Sequence, residues 1–155
     1  MVSSDRIDKA RRVIRASRAS IYRALLDGEA RGAWVAPEGM TGRVDRFDPS
    51  PGGGYRMVLT YDDPRGAAGK SSARSDVVES RFVDIVPERG VVESVEFESD
   101  DTAFAGAMTM TWTLTSVAGG TEVRVTAANV PDGISAEDHE AGMRSSLENL
   151  AAFVE

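Results

Sequence analysis

The sequence predicts an α+β fold: one curved antiparallel sheet wrapped around a long C-terminal helix, with two short helices near the N-terminus. Two observations carry most of this. The run AGAMTMTWTLT over residues 105–115 alternates, with Gly106, Met108, Met110, Trp112 and Leu114 on one face and Ala107, Thr109, Thr111 and Thr113 on the other. After Gly119-Gly120, TEVRVTAANV continues the pattern, with Val123 and Val125 opposite Glu122 and Arg124. The third observation is the closing segment, whose apolar-side stripe His139, Met143, Leu147, Leu150 and Val154 has helical spacing.

The remaining elements follow in order. Residues 9–17 alternate loosely around Val13 and Ile14 and read as a first strand. Ser17 or Ser20 can cap a short helix, ASIYRALLDG, that buries Ile21 and Leu25 and stops at Gly28. A second short helix, EARGAWVA, is closed by Pro37 and Gly39. Strands are expected at 40–47, 54–61, 75–86, 91–98, 105–115 and 121–130, separated by turn-forming residues such as Asp48-Pro49-Ser50-Pro51 and Pro87 to Gly90. The Gly-rich, polar stretch 62–74 reads as a mobile loop. Ser135 is the expected N-cap of the last helix, with Asp138 three residues later and acidic residues at the positive helix end.

Composition narrows the function. The 155 residues suit a single domain, 1–155, with a core of useful size. A net charge of −7 argues against a nucleic-acid partner. The basic N-terminal residues Arg6, Lys9, Arg11, Arg12, Arg15 and Arg18 read instead as a solvated strand face. Cysteine is absent, so disulfide and thiolate chemistry are excluded. No apolar run follows Met1 and none approaches the roughly 20 residues of a membrane span, so a cytoplasmic location is expected. The excess of Arg over Lys, with abundant Ala, Gly and Val, is the usage of a GC-rich bacterial genome.

Several longer segments together resemble a known family. SIYRALLDGEARGAWVAPEGM is similar to its helix pair ending in Trp before a strand, and DPSPGGGYRM to its Gly-Gly turn before an aromatic strand. SRFVDIVPERGVVESVEF resembles its strand, Pro-Glu-Arg turn and strand. GGTEVRVTAANVP with DHEAGMRSSLENLAAFV resembles its closing hairpin and helix, where His and Gly stand three residues apart. The family is the SRPBCC (START-like, birch-pollen-allergen-like) helix-grip superfamily, in its branch of heat-shock chaperone ATPase-activator homologues. The resemblance implies a hydrophobic cavity between sheet and long helix, and it implies no fixed reaction. Dimers are frequent among small members, and Phe153 and Val154 near the helix end are the residues to consider for one. Relatives often carry Trp directly after the helix Gly, where this chain has Met143, so a ligand does not transfer from any of them.

The candidate ligand-binding set is Trp34, Tyr55, Met57, Leu59, Phe82, Val95, Phe97, Met108, Met110, Trp112, His139, Met143 and Leu147. These residues either line a cavity or fill a core; the periodicity alone does not distinguish the two. The expected occupant is a small hydrophobic molecule. The alternatives are a polyketide cyclase or aromatase-like enzyme and a chaperone-associated binding module. For an enzyme the candidates are His139, as a general base at the pocket mouth, and Asp84, a carboxylate interrupting the apolar run RFVDIV. His139 packed beneath Ile134 and an outward Asp84 are the structural alternatives. With one His and no Cys, no metal is expected, and no cofactor. PRGAAGKS over 64–71 approaches a phosphate-binding loop, but Pro64 stands where Gly is required and no helix follows.

Overall fold

A computed structural model describes residues 6–36, 39–62 and 75–155. The segment read as a mobile loop, the 64–71 stretch and Pro37 lie outside the described residues, apart from Asp62. Seven strands form one antiparallel sheet curled into a half-barrel: β1 (Ile7–Ile14), β2 (Met40–Phe47), β3 (Gly54–Tyr61), β4 (Ser75–Val86), β5 (Gly90–Phe97), β6 (Met108–Val117) and β7 (Gly120–Ala128). Their spatial order is β1-β7-β6-β5-β4-β3-β2, so each strand from β2 to β7 pairs with its chain neighbour and β1 closes on β7. Helices α1 (Arg18–Leu25) and α2 (Gly28–Trp34) fill the β1–β2 connection, and α3 (Ala136–Val154) ends the chain.

The local chemistry sets the boundaries. Ser17 caps α1, its hydroxyl accepting from Ser20 N. Gly28 does not stop this helix: Leu26 ends it, and Asp27 immediately caps α2 by accepting from Ala30 N. The first strand runs from Ile7 rather than residue 9, which brings Asp8 onto the sheet. Gly119 and Gly120 turn β6 into β7 with φ of 87° and 151°. A Cβ at Gly120 would strike the Ile14 carbonyl, so that position tolerates no side chain. Ser135 caps α3 through Asp138 N at 3.1 Å, as its spacing predicts.

The position of α3 follows from edge chemistry. β1 is a sheet edge, and its unpaired backbone N–H groups need acceptors. Glu140 of α3 and its C-cap Glu155 supply acceptors: Lys9 N donates to Glu140 Oε2 at 2.9 Å, and Arg15 N, one residue past β1, to Glu155 Oε2 at 3.1 Å. At the other flank Ser146 Oγ donates to the Val35 carbonyl and Asn149 Nδ2 to the Ala36 carbonyl, joining α3 to the end of α2. α3 is thus moored along β1, with α1 and α2 as its other main neighbours.

Two apolar clusters result. The larger joins α1, α2 and the second half of α3 to the sheet through Ile14, Leu25, Trp34, Phe82, Trp112, Val123 and Leu150. The smaller, Val78, Val95, Met108, Ala127, Val130 and Ile134, lies toward the start of α3. Met110 packs against both.

Candidate functional site

The pairing register fixes which side chains share the concave face. One cross-strand row reads Asp8, Ala127, Met110, Glu93, Phe82. The next reads Met108, Val95, Ser80, Tyr55. Beyond it come Phe97, Val78 and Met57, then Asp76 and Leu59. The expected inward set is therefore on one face, but its members differ in cover. Trp34, Tyr55, Met57, Phe82, Val95, Met108, Trp112, Met143 and Leu147 are buried, whereas Leu59, Phe97, Met110 and His139 are only half-buried.

The centre of this face holds an ion pair that sequence reading missed. Arg31 and Glu93 are each 1% exposed, and Arg31 Nη2 donates to both Glu93 oxygens, at 2.9 and 2.7 Å. Arg31 Nη1 donates to the Leu25 carbonyl at 2.8 Å. Trp112 Nε1 donates to Glu93 Oε2 at 2.8 Å, and Ser80 Oγ to Oε1 at 3.4 Å. The guanidinium lies 5.1–5.4 Å from the ring centres of Tyr55, Trp112 and Trp34, within cation–π range. Burial opposes the Arg31 charge, but the adjacent Glu93 outweighs it and the pKa of Arg31 rises. Burial also pushes the Tyr55 phenol well above its ordinary 10, against the pull of Arg31. Among the described residues Arg31 Nε finds no acceptor. Trp34 edges onto Trp112 at 5.5 Å and donates its indole N–H to the Ala24 carbonyl at 3.0 Å. Trp34 and Trp112 are both buried, each with its indole N–H bonded.

Signals for the pair were present. Glu93 stands two residues from both Val91 and Val95, the parity of the buried face, and Arg31 sits three residues before Trp34 on α2.

A second polar group lies at the β1 end of the Asp8–Glu93 row. His139 Nδ1 is 2.7 Å from Asp8 Oδ2, and Arg6 donates to both Asp8 oxygens at 2.8 and 2.7 Å while also holding the Ile134 carbonyl. Asp8 is thus the orienting carboxylate for His139. Its carboxyl is held below 3.8 chiefly by the Arg6 hydrogen bond, against the cost of burial, with His139 adding to the effect. An ionised carboxylate only accepts, so Nδ1 carries the proton.

Because the native pKa of Asp8 is depressed, its stabilisation is present above the unfolded value and lost as pH falls through the native one. Asp8→Asn is expected to cost about 1–3 kcal/mol at neutral pH. The gap from wild type should close as pH falls from 3.8 through the lower native value. Urea unfolding at a series of pH values checks this; a gap independent of pH would contradict it.

Asp84 does not join His139. A bulge between Phe82 and Asp84 breaks the two-residue alternation, so Phe82 and Ile85 face the core while Asp84 pairs beside Val92 and is exposed. An acid–base pair of His139 with Asp84 is thereby excluded by the register.

Among the described residues, no group of three or more His, Cys, Asp and Glu side chains could hold a metal ion. No helix among them is long and apolar enough to cross a membrane. Two open clefts border α2: one of about 650 Å³ between α2, β2 and the end of α3, and one of about 570 Å³ between α2 and β2. Trp34 is the one member of the expected binding set that borders either of them.

Comparison with known proteins gives consistent results. Residues 15–155 match the family model described as "Activator of Hsp90 ATPase homolog 1-like protein". The chain is similar to the crystal structure of protein CV1439 from Chromobacterium violaceum, at 30% identity and a TM-score of 0.84, covering 96% of each chain. A Rhodobacter sphaeroides protein shares the fold at 22% identity and TM-score 0.77, covering 97% of this chain and 92% of its own. An Arthrobacter aurescens protein does so at 14% and 0.78, covering 96% and 85%. No curated protein matches.

Proposed function

We propose, given that this chain belongs to the Activator of Hsp90 ATPase homolog 1-like family, that the concave face of its sheet binds a small hydrophobic molecule beside α3. The observation that supports this reading is the uneven cover of that face. Leu59, Phe97 and Met110 point to the concave side yet remain partly exposed, while their row neighbours Asp76, Val78, Ala127 and Glu93 are buried. Mooring α3 at the β1 edge accounts for this, since the helix packs along one side of the half-barrel. Apolar surface left accessible inside a curved, rigid frame is the usual composition of a small-molecule site.

The buried ion pair limits how deep such a ligand reaches. Trp34, Trp112 and Tyr55 enclose Arg31 and Glu93, so the ligand rests over Met110 and toward Leu59 and Phe97, with the aromatic cluster as a fixed wall.

Titration with a neutral naphthylamine dye tests this. Met110→Trp should fill the groove and weaken dye binding at least about tenfold. Stability should change little, because Met110 is half-buried and its side chain has room to grow. Equal dye affinity in wild type and variant would reject the site. Met143→Trp is the contrast: Met143 is buried on α3, so overpacking there is expected to cost about 1–3 kcal/mol in denaturant unfolding.

A further inference from the structure

We propose that His139, oriented by Asp8, is a hydroxyl-recognition residue: its Nε2 accepts a hydrogen bond from an alcohol or phenol group on the apolar molecule bound over Met110. The inference rests on the ligand-binding reading above and adds the chemical class that the site selects.

The geometry runs from the sheet upward. Asp8 is on the concave face at the β1 end of the row that continues through Ala127 and Met110 to Glu93. With adjacent strands about 4.8 Å apart, Asp8 and Glu93 stand roughly 14 Å apart along that row. Between them the floor is apolar: the small Ala127, then the half-buried Met110. His139 lies above Asp8, one turn before Met143 on the sheet-facing stripe of α3, and its side chain is 14% exposed.

The two polar ends of the floor offer different chemistry. At the Glu93 end both charges are enclosed by three aromatic rings, and the carboxylate already receives Arg31, Trp112 and Ser80. At the Asp8 end the carboxylate is committed to Arg6 and to His139 Nδ1. That commitment places the imidazole proton on Nδ1 and directs Nε2 away from Asp8. No described residue meets Nε2, and it is not sealed from solvent. A neutral imidazole in this tautomer presents a lone pair, which matches an O–H donor and offers nothing to a carbonyl. Arg6 balances the Asp8 charge, so the arrangement fixes the tautomer without placing an unpaired carboxylate beside the ligand.

Paired probes test the inference. 2-Naphthol and naphthalene share one ring system and differ by the hydroxyl. Binding is followed by fluorescence, and in ¹⁵N-labelled protein by the ring nitrogens of His139, the sequence's one histidine, whose signals need no assignment. At pH about 8 the free protein should carry the imidazole proton on Nδ1, facing Asp8. 2-Naphthol should bind about three- to tenfold more tightly than naphthalene and shift the Nε2 resonance at saturation. His139→Ala should abolish the preference, so that the variant binds 2-naphthol and naphthalene with equal affinity. Asp8→Asn, checked for retained fold by its thermal transition, should release the tautomer and remove the same preference.

Equal affinities for the two probes, an unmoved Nε2 resonance, or a proton on Nε2 would overturn the inference while leaving the ligand-binding reading intact. Failure of both probes to bind would remove both.

Discussion

Arg31→Met is expected to destabilise the native state by about 3–5 kcal/mol, the usual cost of leaving a buried charge without its partner. The substitution would strand Glu93, 1% exposed, without its cation and with neutral donors such as the Trp112 indole and the distant Ser80 hydroxyl. It would also free the Leu25 carbonyl at the end of α1. Removing both charges should be far milder. In Arg31→Met with Glu93→Leu, the rings of Tyr55, Trp34 and Trp112 would pack against apolar groups, and such replacements are often neutral or stabilising. Denaturant unfolding of the two single variants and the double variant reads this directly, since each loss should appear as a lower midpoint at a similar slope. A single variant within about 0.5 kcal/mol of wild type would show that the pair is hydrated rather than buried.

Trp34→Ala is expected to cost a similar amount, about 3–5 kcal/mol, through lost burial and the cavity left behind. Trp34 is 1% exposed, and its indole N–H is the link from α2 back to the Ala24 carbonyl of α1. Its edge also rests on Trp112, which in turn holds Glu93. The loss should therefore spread: hydrogen exchange in both helices should quicken, while the β6–β7 hairpin stays protected. Val83→Ala is the control, because Val83 is 53% exposed on the outer face and should change stability by no more than about 0.5 kcal/mol.

The fold was legible because its signals are local and repeated. Met108, Met110, Trp112 and Leu114 share one parity, and α3 carries a cap, an acidic first turn and an apolar stripe. Boundaries were less so: Gly28 reads as a helix stop, yet Asp27 caps the next helix and the glycine becomes its first residue. Asp84 shows why parity fails at a bulge, since one extra residue reverses every side chain after it. The polar interior was the part least visible. Arg31 and Glu93 are 62 positions apart, and Asp8 and His139 are 131 apart. Nothing local marks either pair as partners; only the sheet's closure of β1 on β7, and of α2 over the concave face, brings them together. Parity also does not grade cover along a face: Met108 and Met143 are buried, whereas Met110 stays half-buried.

The most direct measurement of the concave-face site is a ¹³C-methyl methionine spectrum titrated with naphthalene, with Met110 and Met40 assigned through Met110→Leu and Met40→Leu. The two methionines report different places, Met110 the floor of the half-barrel and Met40 the outer cleft between α2 and β2. The expected result is a saturable shift of the Met110 methyl, with smaller shifts at Met108 and Met143 and none at Met40. Shifts confined to Met40, or no saturable shift at any of the six methionines, would contradict a ligand site on the concave face.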